Sequence, residues 1–218
     1  MQNCTGALNP LSHAVLIADV RASAGTQRLR ALLTQKLKSL SQTHRTQKLI
    51  RLPYAVTAGD EFQTLVSVPE HIPQLILDLR RRMRPLDLWI GIGIGEISGA
   101  VRPPVNHLSG EAFRCAREAL KSKPNSKINL PTAFCSSDEE FDKIANCVYA
   151  LHDSLLHQIT SKQWRTIDAY FQSGSVDGAA KRLGVGISTA SRNLRRGHLW
   201  LLLETAARMK DMIQRRFS

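Results

Sequence analysis

The residues of this sequence that are best suited to metal chemistry are three carboxylates at the ends of predicted strands. Asp60 and Glu61 lie between two apolar runs, 52–57 and 62–68, which predicts that they form the tip of a β-hairpin. Asp19 ends a predicted buried strand near the N-terminus. Mg²⁺ prefers oxygen ligands and keeps coordination places for phosphates, so we expect Asp19, Asp60 and Glu61 to form a Mg²⁺ site. The alternative is that they are ordinary turn and strand-end acids.

A second motif, near the C-terminus, has the residue spacing of a helix-turn-helix. Ser175–Leu183 is predicted to be one helix, Gly184–Gly186 a turn and Ile187–Arg196 a second helix. Ala180 is small where the helices would cross, and Gly184 can adopt the positive φ of a tight turn. The second helix then turns outward the hydroxyls and guanidiniums that bind phosphate and guanine. The predicted DNA-binding residues are Ser188, Thr189, Ser191, Arg192, Arg195 and Arg196. A plain helical hairpin is the alternative.

The net charge of +12 is concentrated in the region that contains this motif. Residues 160–218 have 11 Lys/Arg and 4 Asp/Glu, a net +7, whereas residues 1–159 have 19 and 14, a net +5. A basic region of this kind is typical of proteins that bind a polyanion, and with the motif it favours double-stranded DNA as the partner. Because palindromic DNA sites match two-fold symmetric proteins, we expect a homodimer.

The remaining composition favours a globular cytoplasmic protein. Hydrophobic residues make up 43% and charged residues 22% of the chain, which is ordinary for a folded domain. We find no apolar run of the ~20 residues that a membrane span needs, and no signal-peptide pattern at the N-terminus. The four cysteines lack CxxC spacing and a neighbouring His, which predicts reduced structural thiols rather than a zinc site. They are Cys4, Cys115, Cys135 and Cys147.

The predicted elements before residue 135 follow the order β-α-β-β-α-β-α-β. This order predicts an α+β fold with a mostly antiparallel, ferredoxin-like sheet and helices on one side. Gly91, Gly93 and Gly95 leave one face of a strand bare, for close helix packing or for a nucleotide. The run 80–82 (three arginines) is interpreted as helix capping and solvation. After the first strand, the elements are helix 26–42, the hairpin, helix 69–84, strand 86–98, helix 108–121 and strand 127–134.

Four motifs resemble known protein families. Asp19 and the segment Gly59-Asp60-Glu61-Phe62 resemble the two metal positions of nucleotide-cyclase palms, in both class III adenylyl/guanylyl cyclases and GGDEF diguanylate cyclases. The strand 91–97 and the segment 110–119 are more similar to SatD-like proteins, which have GDEFQ, GIGIGEIS and AREA in this order before a C-terminal helix-turn-helix. The resemblance covers most of the chain and implies a cyclase-like palm joined to a DNA-binding module.

The resemblance also directs attention to residues that could contact a nucleotide. These predicted nucleotide-binding residues are Ser23, Gly59, Arg114 and Arg117, and for the two arginines a solvated basic helix face is the alternative, which the sequence somewhat favours. Glu96 is either a third acid near the site or a surface residue. The chain departs from the cyclases because it lacks their base-reading Lys before the hairpin. Arg114 and Glu118 stand where their transition-state residues would fall, so catalysis stays open.

The sequence thus divides into three predicted parts. Residues 1–135 are predicted to be a nucleotide-cyclase-like palm, 136–159 a helical linker, and 160–218 a helix-turn-helix domain with a C-terminal helix. That last helix could pack on the helical hairpin or against a second copy. The favoured function is a sequence-specific DNA-binding regulator whose palm binds, or formerly processed, a nucleotide with Mg²⁺. The alternatives are an active nucleotidyl cyclase or transferase that uses Asp19 and Asp60 as metal ligands, and a palm that serves only as a dimerisation scaffold.

Overall fold

A five-stranded mixed β-sheet organises the computed structural model, which describes residues 12–21, 27–121 and 131–217. The strands are β1 (His13–Val20), β2 (Ala55–Ala58), β3 (Glu61–Leu65), β4 (Leu88–Gly95) and β5 (Thr132–Cys135). Their order across the sheet is β2-β3-β1-β4-β5. The pairs β2–β3, β3–β1 and β1–β4 are antiparallel, and β4–β5 is parallel. The fold is therefore α+β with a mostly antiparallel sheet, as the element order predicts.

Helices surround this sheet and fill the C-terminal third of the chain. Within the described residues they are α1 (Gln27–Thr46), α2 (Ile72–Arg82), α3 (Glu111–Lys121), α4 (Glu139–Gln158), α5 (Ser161–Ser173), α6 (Val176–Leu183), α7 (Ile187–Arg196) and α8 (Leu199–Phe217). Short 3₁₀ turns occur at Pro69–His71 and Val105–His107. No described helix is both long enough and apolar enough to cross a lipid bilayer.

Apolar patterning explains why the central elements form. The side chains of Ala14–Ala18 in β1 have no solvent exposure, because β1 is a central strand with both faces covered. In α1, Leu33, Leu37 and Leu40 recur at helical spacing and are buried against the sheet, while the opposite face of the helix is exposed.

Helices cover both faces of the sheet, so the predicted one-sided arrangement is wrong. On one face, Leu16 and Ala18 of β1 contact a core formed with α1, α2, α4 and part of α8. On the other face, Val15 and Ile17 pack with Ala112 and Ala116 of α3. The alternation of side chains along β1 thus supplies two separate cores.

The position of α3 follows from the glycines of β4. A Cβ added at Gly91 would collide with the backbone of α3 at Ala116, and one added at Gly93 would collide with the backbone at Ala112. The helix therefore lies directly on the strand backbone, which is possible only where the strand has no side chains. Of the two uses that the sequence left open for this bare face, helix packing is the one observed.

The C-terminal helices form a further core that is continuous with the sheet layer. Trp164 and Ile167 of α5 pack with Leu194 of α7 and Leu202 of α8. Farther along α8, buried apolar residues join the core on the sheet instead; they are Met209 and Ile213. The last helix therefore packs against both parts of its own chain.

Helix bounds in this region agree closely with the sequence. The α7 helix has the predicted bounds, and Thr160 caps α5 through a capping box with Gln163. Gly184 has a φ of 64° after α6, as a tight turn requires. The helix predicted as a linker, α4, buries Phe141 and Tyr149 in the core on the sheet. The predicted domain boundaries themselves stay a prediction.

The close packing of α3 on β4 can be tested with one methyl group. We expect Gly93→Ala to lower the free energy of unfolding by about 1–3 kcal/mol or more, because the added Cβ would force the helix and strand backbones apart. Gly95→Ala is the matched control, since its Cβ would meet only the flexible Glu111 side chain. Urea unfolding of both variants measures the difference, and equal losses would contradict this account.

Candidate functional site

The predicted acidic hairpin is a two-residue turn. Ala58 pairs with Glu61, which leaves Gly59 and Asp60 as the central residues. Gly59 has a φ of 61°, as the first central residue of a type II′ turn requires. No atom lies within 4 Å of the place where a Cβ would stand at Gly59, so a ligand could approach its backbone closely.

Strand register brings two of the three predicted metal ligands to neighbouring positions. The β1–β3 pairing ends with Ala18 opposite Phe62, and one further step of the antiparallel register places Asp19 opposite Glu61. Directly opposed residues of antiparallel strands have Cβ atoms about 4.5–5.5 Å apart. By the alternation of β1, Asp19 lies on the face that carries α3. Asp60 lies in the turn, one residue before Glu61.

The carboxylate of Glu61 is held by two partners. The Thr57 hydroxyl donates to its Oε1 atom at 2.7 Å, and the Arg117 guanidinium of α3 lies 3.6 Å from the same oxygen. Of the two predicted nucleotide-binding arginines on α3, Arg117 is the one that contacts the hairpin. Arg114 lies one helical turn earlier and is bound to Glu118 at 3.1 Å, which raises the pKa of the Arg114 side chain.

Two other predicted residues cannot be assigned to the acidic hairpin. Ser23 is outside the described residues. Glu96 follows Gly95, which pairs with His13 at the opposite end of β1 from Asp19. Asp19 is six residue steps along the strand from His13, a distance of about 20 Å. Glu96 is therefore a surface residue and does not belong to the acidic hairpin.

The hairpin residues offer the ligand type of a hard divalent cation, but the ligand atoms of Asp19, Asp60 and Glu61 do not all lie within 4.8 Å of one another among the described residues. Carboxylate oxygens are the protein ligands that Mg²⁺ prefers, and Mg²⁺ retains places for water and phosphate oxygens. Asp19 and Glu61 supply carboxylates on neighbouring strands, and Asp60 supplies another from the turn. Arg117 places a cation beside this group, where a phosphate would also be attracted.

The arginine run at the end of α2 is structural, and its interpretation as capping and solvation is wrong for two of its three members. Arg80 donates to Asp153 Oδ2 of α4 at 3.2 Å and to Thr132 Oγ1 of β5 at 2.8 Å. Arg81 donates to Asp168 of α5 at 3.0 Å and to Asp78. Both arginine side chains are more than nine-tenths buried, so they connect α2 to three neighbouring elements instead of solvent.

Asp78 is the common acceptor beneath this arginine run. Its carboxylate binds His44 Nε2 at 2.8 Å, Arg82 Nε at 2.9 Å and the Arg81 guanidinium. Burial alone would raise the pKa of Asp78, but the hydrogen bond from His44 and the two arginine charges outweigh it. The net result is a pKa of about 2, below the ordinary value of 3.8.

A basic cavity opens at the junction of α1, α2 and α5. Its volume is about 580 Å³, and its cations outnumber its acids. Burial lowers the pKa of both Lys36 and Arg84, with Asp168 partly opposing that effect. The charged side chains that line it are Lys36, Arg81, Arg82, Arg84 and Asp168. Sequence reasoning missed this cavity, because it forms only where the arginines at the end of α2 meet Lys36 of α1 and Asp168 of α5, which are distant in the chain.

The α7 helix presents two chemically different faces. Ala190 and Leu194 are completely buried against the neighbouring helices, and Asn193 donates to Thr166 Oγ1 of α5 at 3.2 Å. The predicted DNA-binding residues lie on the other face, exposed except for the half-buried Thr189; they are Ser188, Thr189, Ser191, Arg192, Arg195 and Arg196.

The arginines of α7 differ in their charge environment from three other cations of the C-terminal helices. Lys181, Arg208 and Arg216 each form an ion pair with a nearby acid. Among the described residues, no acidic group lies within ion-pair distance of Arg192, Arg195 or Arg196. Exposed, uncompensated guanidiniums attract polyanions from solution, since little desolvation or competition opposes the contact.

Comparison with known proteins identifies the family of this α+β protein. The model of the SatD family (SatD) matches residues 14–212, and the chain belongs to that family. A search of the curated proteins found no match. Among solved structures, the Regulator of Polyketide Synthase Expression from Bifidobacterium adolescentis is similar at 15% identity and a TM-score of 0.24. The match covers 92% of this chain and 86% of that chain.

The low pKa of Asp78 predicts how the stability of the protein depends on pH. The pKa of Asp78 is about 2 in the folded state and about 3.8 in the unfolded state. The Asp78 carboxylate therefore contributes about 2 kcal/mol to the free energy of unfolding above pH 3.8. This contribution is lost as the pH falls through 2. We expect Asp78→Asn to be less stable at neutral pH and to lose this part of the acid dependence, in urea unfolding from pH 2 to 7. Asp211→Asn, at an exposed position of α8, is the control; identical pH profiles for wild type and Asp78→Asn would contradict the assignment.

Proposed function

We propose that this protein is a sequence-specific DNA-binding transcriptional regulator whose sheet domain binds a nucleotide with Mg²⁺. The observation that carries the DNA-binding part is the outer face of α7. This face carries exposed serine hydroxyls and three arginines that form no ion pair with any described residue. The inner face of the same helix is fully buried. Such a helix can enter a DNA groove without unpacking the protein.

The geometry around α7 supports its role as the second helix of a helix-turn-helix. Only three residues separate α6 from α7, and Gly184 makes the turn with a positive φ. Ala179 and Ala180 of α6 are buried where small side chains allow the helices to approach. The N-terminus of α7 carries Ser188 and Ser191 on its exposed side. The free backbone N–H groups of a helix N-terminus attract DNA phosphates.

The sheet supports a nucleotide-cyclase-like palm as the second component. In β2-β3-β1-β4, every neighbouring pair is antiparallel, and α1 and α2 are the connecting helices. This connectivity supports our proposal of a ferredoxin-like unit, with β5 added in parallel. In this interpretation Asp19, Asp60 and Glu61 hold Mg²⁺, while Gly59 and Arg117 contact the phosphates. Ser23 and Arg114 remain part of the proposed nucleotide site, and a homodimer remains the proposed assembly.

The DNA-binding proposal predicts different losses for two arginines on α7. Arg192→Ala should reduce the difference in binding free energy between preferred and other sequences by about 1–3 kcal/mol, if the Arg192 guanidinium makes a bidentate contact with guanine. Arg196→Ala, nearer the C-terminal end of the helix, should weaken binding to all sequences alike and reduce the salt slope by about 1. Sites are first selected from a random duplex library with the full chain, and affinities are then measured by fluorescence anisotropy at several salt concentrations.

Arg208→Ala provides the matched control, because it also removes one exposed positive charge but from an ion pair with Glu204 on α8. It should leave both discrimination and salt slope close to wild type. If the full chain binds no duplex even at low salt, the regulator proposal is wrong.

The nucleotide part of the proposal predicts a specific role for Asp60. Neighbouring carboxylates without a cation repel one another, so Asp60→Asn should fold as well as the wild type or better. It should also abolish stabilisation by Mg²⁺ with a nucleoside triphosphate. Thermal unfolding with each triphosphate and Mg²⁺ or Mn²⁺ measures the shift, and chromatography of the same samples detects any product. Product would establish an enzyme, and a shift without product a sensor.

Two variants locate the site of any thermal shift. Glu96→Gln removes an acid at the opposite end of the sheet and should retain the shift. Lys36→Ala removes a cation of the basic cavity at the α1–α2–α5 junction. A shift that persists in Asp60→Asn but disappears in Lys36→Ala would place nucleotide binding in that cavity and overturn the hairpin site. The absence of any shift would leave the sheet domain as a scaffold.

A further inference from the structure

Three metal-binding side chains converge on the edge of the sheet that carries β5. Ligand atoms of Cys115, Glu118 and Cys135 all lie within 4.8 Å of one another. The Cys135 Sγ atom is 3.7 Å from a carboxylate oxygen of Glu118. Cys115 is buried and Cys135 half-buried, and neither forms a disulfide. We propose that these three residues form a Zn²⁺ site.

The fold creates this cluster from residues that are far apart in the sequence. Cys115 and Glu118 are three residues apart on α3, so they project from the same face of the helix. Cys135 ends β5, where it pairs with Gly93 of β4. Because α3 lies directly on Gly93, Cys135 meets the side of α3 that carries the other two ligands. The absence of a CxxC motif therefore does not exclude a metal site in this chain.

The spacing of the ligand atoms suits tetrahedral zinc. Zn²⁺ binds sulfur at about 2.3 Å and carboxylate oxygen at about 2.0–2.2 Å. A tetrahedron with those bond lengths has sulfur–oxygen edges of about 3.5 Å and a sulfur–sulfur edge of about 3.8 Å. The observed 3.7 Å between Cys135 and Glu118 is close to the first edge. Two thiolates and a carboxylate favour Zn²⁺ over Mg²⁺, which binds through oxygen.

The surroundings of the cluster are suited to a cation. Burial raises the pKa of both thiols, and that of Cys135 is raised further by Cys115 and by the Asp142 and Glu118 carboxylates. Glu111 also faces Cys115, while Arg114 is the nearby cation and pairs with Glu118. Zinc binding would displace the thiol protons, while Arg114 can stay on the Oε1 atom of Glu118, because Cys135 contacts the other oxygen, Oε2.

The exposure of the ligands indicates an open fourth coordination position. About half of the Glu118 side chain is accessible to solvent. Among the described residues, no fourth His, Cys, Asp or Glu lies in the cluster, so water would complete the tetrahedron. The bound ion would cross-link α3 to β5, and thereby stabilise the helix that also presents Arg117 to the acidic hairpin.

Cobalt substitution tests this site directly. The full chain, reduced with a phosphine, is titrated with Co²⁺ and followed by absorption. We expect one Co²⁺ per chain, with sulfur-to-cobalt charge-transfer absorption and the intense visible bands of tetrahedral coordination, all displaced by Zn²⁺. Cys135→Ser should lose the charge-transfer intensity of one thiolate and most of the affinity. Glu118→Gln should weaken Co²⁺ binding by about tenfold or more, because mutating even a residue that only hydrogen-bonds to a metal ligand lowers metal affinity by about that factor.

A control variant separates this cluster from another cysteine of the described residues. Cys147 is exposed on α4 and is not part of the cluster, so Cys147→Ser should bind Co²⁺ as the wild type does. Circular dichroism checks that every variant is folded. Cys115→Ser is also made, and if it does not fold, Cys135→Ser and Glu118→Gln alone are enough to test the site. The absence of a charge-transfer band at saturating Co²⁺, or a band that Cys135→Ser leaves unchanged, would overturn the proposal.

Discussion

The buried ion pair between Arg80 and Asp153 fixes the relation between the sheet and the C-terminal helices. Its two side chains are 8% and 2% exposed, and Arg80 also donates to the Leu88 carbonyl and the Thr132 hydroxyl. Burial would raise the pKa of Asp153, but Arg80 and His152 together hold it below its ordinary value. Because a buried charge without a partner is strongly destabilising, any arrangement of α2, α4 and β5 that separates Arg80 from Asp153 is disfavoured.

A second constraint, the side-chain-free face of β4, determines where α3 packs and where a ligand can reach the sheet. By accepting α3 directly on Gly91 and Gly93, the strand brings Arg117 toward Glu61 and Cys115 toward Cys135. The same packing removes that strand face from contact with any ligand. A nucleotide at this sheet would therefore bind at the open hairpin end, beside Gly59, and not over the glycines of β4.

Local signals explain which features could be predicted from the sequence. The turn at Gly59, the cap at Thr160 and the bounds of α7 depend on neighbouring residues, and all three are observed. The burial of Arg81, the side of the sheet that α3 occupies and the Cys115–Cys135 cluster were missed. Each depends on a partner at least 20 residues away in the chain or on a different element, and neither periodicity nor spacing encodes such pairings.

The path from the sheet to the outer face of α7 is short and passes through α5. Asp168 of α5 binds Arg81 of α2, and Thr166, two residues earlier on the same helix, accepts a hydrogen bond from Asn193 of α7. The hydrophobic contacts of Ile167 with Leu194 reinforce that junction. Since α5 is held at one side by the sheet layer and at the other by α7, contacts between elements help to set the orientation of the exposed arginine face. In the proposed DNA-binding role, a rigidly held arginine face would lower the entropic cost of binding.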